Sequence, residues 1–122
     1  MKRVIFILLL SLGMSACIPT GGGPGPSTKI KAKLIRVTCA SIVIQILDSP
    51  YFYLGETWSD SGTPATTYEH AVKVSNPCEF PSTIAVGSEF YFRINTHPRT
   101  DCVTCAMWDA PPTKQVAVTV VP

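Results

Sequence analysis

Apolar and polar residues alternate with period two in five stretches of the chain. The first, residues 29–37, sets Ile30, Ala32 and Leu34 on one face; the phase then slips, and Ile35 and Val37 take over. Such a slip inside one long strand predicts a β-bulge or a sharp bend, because a shift of one residue turns every side chain to the other face. The second stretch, residues 41–47, is apolar on both faces and predicts a central strand. The third centres on residues 71–74. The fourth, residues 88–94, turns Phe90, Phe92 and Ile94 inward, and the last, residues 115–120, aligns Val116, Val118 and Val120. Residues 103–108 predict a short sixth strand. No ten-residue window carries a 3.6-residue repeat, so the pattern predicts one all-β domain over residues 29–122. Small β domains avoid exposed edges by closing on themselves.

The N-terminus reads differently. Lys2 and Arg3 precede an apolar run at residues 4–10, and small residues follow up to Cys17. That order describes an export signal over residues 1–16. The run is shorter than the roughly 20 residues needed to span a bilayer. Met14-Ser15-Ala16-Cys17 resembles a bacterial lipobox. The resemblance implies cleavage before Cys17 and acylation of Cys17. With Ile18 in place of an aspartate, it also implies the outer membrane in a cell that has two. Two or more acyl chains anchor a protein stably, at about 0.8 kcal/mol per buried methylene. Residues 17–28 are rich in Gly and Pro and read as a flexible tether, whose nine residues 19–27 reach at most about 30 Å.

Processing changes the charge. The 122-residue chain is 46% apolar and 15% charged, with a formal charge of +2. Without Lys2 and Arg3, eight basic residues face eight acidic ones. A neutral domain lacks the basic footprint of a nucleic-acid binder, so no nucleic-acid partner is expected. Dinucleotide, phosphate-loop, His-Glu-x-x-His, EF-hand and Gly-x-Ser-x-Gly signatures are absent.

Four cysteines remain after Cys17: Cys39, Cys78, Cys102 and Cys105. An even number in a small exported domain predicts two disulfides. Three connectivities are possible. In a meander, the end of the first strand and the end of the third share a sheet edge, which favours Cys39–Cys78, with Cys102 and Cys105 joined across a turn. A loop of that length stabilises by about 4 kcal/mol in the chain-entropy model. Cys102-Val103-Thr104-Cys105 is also a Cys-x-x-Cys, the spacing of thiol–disulfide exchange, and four cysteines are one ligand set for structural zinc.

The order of features narrows the architecture. A long bent strand, a second strand, a variable loop and a third strand lead to Val86-Gly87-Ser88-Glu89 at the entry of the fourth. This resembles the OB fold, in which a Val-Gly-Asp style entry commonly precedes the fourth strand. The resemblance covers residues 29–121 and implies a closed or partly open barrel of five to six strands. Pro77 and Pro81 leave little room for the helix that the OB fold sets before that strand. An immunoglobulin-like sandwich is the alternative. Together with the lipobox and the Asp109-Ala110-Pro111-Pro112 that follows the Cys-x-x-Cys, the whole chain resembles small bacterial lipoproteins, a group that implies no particular activity.

Exposed aromatics stack on sugars, on bases or on peptide side chains, and residues 49–68 concentrate them: Tyr51, Phe52, Tyr53, Trp58 and Tyr68. Tyr51, Tyr53, Trp58 and Tyr68 are the candidate ligand-binding residues; a second small core is the competing role. Lys29, Lys31 and Lys33 share a strand face and read as a solvated face, a guarded edge, or a contact for anionic lipid head groups or cell-wall acids. His70 and His97 have no nucleophile nearby in sequence. Asp101 and Asp109 have Arg36, Arg93 and Arg99 as possible partners. No catalytic residue, metal site or cofactor is assigned. The sequence leads to a lipid-anchored, non-catalytic binding module for an envelope protein or glycan. The alternatives are a thiol–disulfide oxidoreductase working through Cys102 and Cys105 and a structural zinc domain.

Overall fold

The computed structural model describes residues 27–122; the expected export signal, Cys17 and all but the end of the expected tether lie outside the described residues. The domain is all-β. Its strands are β1 (Ile30–Val37), β2 (Ile42–Ile46), β3 (Glu56–Ser59), β4 (Thr67–Val74), β5 (Glu89–Ile94), β6 (Gln115–Val116) and β7 (Val118–Val121). They form one sheet in the order β3-β4-β2-β1-β5-β7, with β6 pairing β4 off this path. The β4–β6 pair is parallel and the other pairs are antiparallel. Two short 3-10 turns, Ser49–Leu54 and Pro77–Glu79, stand between strands.

The phase slip in the first strand is a bulge. Leu34 faces Ile44, the next pair is Arg36 with Val43, and Ile35 is the extra residue. At this bend β5 joins β1: Gly87 donates its N–H to the Leu34 carbonyl at 2.7 Å, and Leu34 donates to the Ser88 carbonyl at 3.0 Å. Gly87 sits at φ 90°, in the left-handed region that costs a glycine little. β2 lies between β1 and β4, which accounts for its two apolar faces. Ile42, Ile44 and Ile46 enter the main core with Ile30, Ala32, Leu34, Val72, Val74, Phe90, Phe92, Val116 and Val118. Val43 enters a second cluster on the other face, with Trp58 and Ala71, against which Ile35 and Tyr68 pack. Val37, expected inward after the slip, is half exposed instead.

β3 escapes the periodicity because four residues are too few to show it. A second bulge joins it to β4, where the pairs step from Glu56–Ala71 to Trp58–Tyr68. His70 takes φ 59° there and stacks on Phe52 with ring centroids 3.7 Å apart. A side chain on Gly55 would meet the His70 backbone at 2.3 Å, so only glycine fits. The sixth strand expected at residues 103–108 does not form; that segment is irregular. Val103, Met107 and Trp108 are all exposed, so the segment has no face to bury against the sheet.

The C-terminal segment crosses from β4 to β5. β6 pairs Lys73 and Val74 with Gln115 and Val116, whereas β7 pairs Ile94 and Arg93 with Val118 and Thr119. At the crossover Val118 takes its hydrogen bonds from a side chain. It donates its N–H to Asn76 Oδ1 at 2.9 Å, and its carbonyl accepts from Asn76 Nδ2 at 2.8 Å. Asn76 is fully buried, and Nδ2 also donates to Glu79 Oε2 at 2.8 Å. We expect Asn76→Ala to cost about 3 kcal/mol, since it strands two buried backbone groups worth about 1–3 kcal/mol each. Asn76→Asp should be no better, because it sets a carboxylate against the Val118 carbonyl and Glu79. Urea midpoints check both, and a near-native Asp variant would contradict this role for the amide.

Candidate functional site

The four tyrosine and tryptophan candidates do not gather on one surface. Tyr51 packs with Phe52 and Leu54 against the main core. Trp58 is only 8% exposed, and Tyr68 stacks on it with centroids 6.0 Å apart. Tyr53 alone is an exposed large side chain, at 55%. Most of this loop therefore forms core around the Ser49–Leu54 turn and β3.

The exposed apolar surface lies elsewhere. Val103 is 94% exposed, Trp108 82% and Met107 55%, and all three belong to the irregular segment between β5 and β6. The segment carries no strand of its own, yet it is fastened along its length. The disulfides are Cys39–Cys105 and Cys78–Cys102, with Cα separations of 5.4 and 5.3 Å. This corrects the expected Cys39–Cys78 and Cys102–Cys105 pairing. The meander argument joined two strand ends, whereas each strand end is joined to the long segment that packs across them.

Residues 105–109 form an arch whose two feet stand on the turn between β1 and β2. The first foot is Cys105, bonded to Cys39 and donating its N–H to the Cys39 carbonyl at 3.1 Å. The second is the Asp109 carboxylate. Its Oδ2 accepts from Thr38 Oγ1 at 2.5 Å and Ser41 Oγ at 2.6 Å, and lies 3.2 Å from Arg36 Nη2. Thr38 Oγ1 in turn accepts the N–H groups of Ala40 and Ser41. Arg36 lies over the Trp58 ring, 4.6 Å from its centroid. The Trp58 indole N–H donates to the Ala110 carbonyl at 2.9 Å, and Ala110 takes φ 48°. Further along, Glu56 accepts both the N–H and hydroxyl of Thr113 and the N–H of Lys114. Between the two feet, Ala106, Met107 and Trp108 project into solvent.

Two ion pairs belong to this part of the chain. Asp109 pairs with Arg36, and Arg99 pairs with Asp101 through two 3.0 Å bonds. Burial pushes the Asp109 carboxyl up, but the hydroxyls of Ser41 and Thr38 and the Arg36 charge outweigh it and hold the carboxyl below its ordinary 3.8. The Lys114 N–H, with the Thr113 donors, likewise lowers Glu56. Of the remaining sequence candidates, Lys31 pairs with Glu89 at 3.2 Å, and His97 Nδ1 shares a 3.0 Å bond with the Thr96 hydroxyl. Among the described residues no group of three or more His, Cys, Asp or Glu could hold a metal ion. A cleft of about 170 Å³ opens beside the Cys78–Cys102 bridge, lined by Lys73, Ser75, Arg99, Thr104 and Gln115 among others.

Comparison with protein-family models, curated proteins and solved structures gives no match. The arch was hidden in the sequence because nothing in residues 103–108 states that they face water. The nearest signal was Asp109-Ala110-Pro111-Pro112, whose prolines stiffen the exit from the arch.

The two tryptophans should behave oppositely. We expect Trp58→Ala to cost about 3–5 kcal/mol, as for other buried aromatics. Trp108→Ala should stay within about 0.5 kcal/mol of the parent, as for exposed positions. Equilibrium unfolding separates them. Lowered carboxyl pKa values mean that the folded state binds fewer protons than the unfolded one, so stability rises with pH in this range. The contribution of Asp109 is complete above its unfolded value near 3.8 and is lost as pH falls through the lower folded value. Denaturant midpoints followed below pH 4 should therefore fall less steeply in Asp109→Asn than in the parent, from a lower start.

Proposed function

We propose that this chain is a lipid-anchored protein of the cell envelope, held by acylated Cys17, whose OB-like domain binds a partner protein non-catalytically through the arch. Several observations support the barrel. One main core draws on every strand except β3. The segment that starts at β6 pairs with β4 and goes on as β7 to pair with β5, while β5 also pairs β1. That circuit, with its single parallel pair, is the connectivity expected of an OB-like barrel. Two disulfides favour an oxidising compartment, in line with export.

The observation that carries the binding reading is Trp108, 82% exposed on an arch braced at both feet. Trp and Met are enriched where proteins meet, and Trp108 stands exposed next to Met107. Bracing removes in advance much of the ordering entropy that a loose loop loses on binding.

A photo-crosslinking residue in place of Trp108, in the exported full-length protein, tests this reading. We expect a discrete protein adduct that excess parent protein competes away and excess Trp108→Ala protein does not. The same probe at Tyr53 should give none; equal labelling from both positions would overturn the assignment. Intact mass of the mature protein checks the anchor: an acylated chain beginning at Cys17 is expected, and an unmodified Cys17 would contradict it.

A further inference from the structure

The Cys-x-x-Cys takes no part in the binding reading, yet its arrangement is unusual. Cys102 and Cys105 are three residues apart, and each is bonded to a distant cysteine rather than to the other. Cys39, Cys78 and Cys105 are exposed residues, so both bridges lie at the surface of the domain. Exposed disulfides are the ones on which exchange acts. No sheet ladder runs through residues 102–105. Drawing them into a turn would give up the Cys105–Cys39 backbone hydrogen bond but no strand pairing.

We propose that an external dithiol reductant converts the two bridges into a single Cys102–Cys105 bridge, and that this exchange unpins the arch. As regulation of the binding surface, the proposal rests on the reading of Trp108 above; the exchange itself does not. A thiolate of the reductant attacks Cys39 Sγ. The Cys39–Cys105 bond breaks, a mixed disulfide forms on Cys39, and Cys105 leaves as a thiolate. Tethered three residues from Cys102, that thiolate meets Cys102 Sγ at a high effective concentration. It attacks there, the Cys78–Cys102 bond breaks, and Cys78 leaves as a thiolate and takes a proton. The second thiol of the reductant then attacks its own sulfur in the mixed disulfide, closing the oxidised reductant and releasing Cys39, which is protonated. The reductant loses two electrons and two protons. The chain gains them as the Cys39 and Cys78 thiols, and its bridges fall from two to one. Attack at Cys78 Sγ runs the relay the other way, through the Cys102 thiolate, to the same product.

The product keeps the Asp109 foot and loses both ties to the sheet ends. Trp108 then rides on a segment fixed at one side only. Redox poise in the envelope would set the fraction of the protein that presents a rigid binding surface.

Titration of the full mature protein with dithiothreitol, acid quench, alkylation and peptide mapping tests the exchange. The expected two-thiol species is labelled at Cys39 and Cys78 and retains a Cys102–Cys105 bridge. Labels at Cys39 with Cys105, or at Cys78 with Cys102, would mean simple opening of one bridge and would overturn it. A Cys39→Ser, Cys78→Ser double variant fixes the product state. It should carry no free thiol and should lose the adduct formed from position 108. Free thiols at Cys102 and Cys105 would also overturn the exchange, and an undiminished adduct would overturn its control of binding. If the parent protein gives no adduct either, the binding reading fails while the thiol map still decides the chemistry.

Discussion

The Asn76 amide holds the point on which the rest of the domain depends. The C-terminal segment must leave β4 and reach β5, and at the crossing the side of Val118 turned away from its partner Ile94 has no strand beside it. Asn76 takes the place of that strand, accepting the Val118 N–H and donating to its carbonyl. Buried backbone groups without partners are costly, so this crossing forms only where a side chain of the right shape can meet both of them. Glu79 receives the remaining Asn76 proton and also the Arg99 N–H, linking the crossing to the entry of the arch segment. Of these donors, Asn76 contributes most to holding the Glu79 carboxyl below the usual range.

The arch depends on the same economy of pairing. Residues 99–114 contain no strand, yet they are tied to the sheet by disulfides to Cys78 and Cys39, by side-chain contacts at Thr38, Ser41, Trp58 and Glu56, and by backbone bonds from Cys105 to Cys39 and from Lys73 to Lys114. The segment is irregular without being loose. The Arg36 guanidinium links two parts of this scaffold, since it pairs with Asp109 and lies over Trp58. The aromatic loop and the arch thus divide the work between them: the first supplies buried support, and the second carries the exposed apolar tip.

Much of the sheet was legible beforehand. The slip between Leu34 and Ile35 is the β1 bulge, the two-faced pattern of residues 41–47 is the central strand, and Val86-Gly87 opens β5 at that bulge. Period-two patterning reports which face is buried, and a strand with one buried face must obey it. The salt-bridge partners of Asp101 and Asp109 were among the three arginines considered. The short β3 and the disulfide pairing were not legible. Four residues carry too little periodicity, and connectivity depends on where a long irregular segment packs.

The sequence by itself determined most strand faces (though not that of Val37), the all-β class and the presence of four cysteines after Cys17, because each is set by local alternation or by count. Only the tertiary structure decided which tryptophan is core and which is surface. Trp58 and Trp108 both sit in short, aromatic-rich or turn-rich stretches, and nothing local separates them. The difference arises from distance: Trp58 meets Val43, Arg36 and Ala110 from other parts of the chain, whereas the feet of the arch hold Trp108 away from any such neighbours.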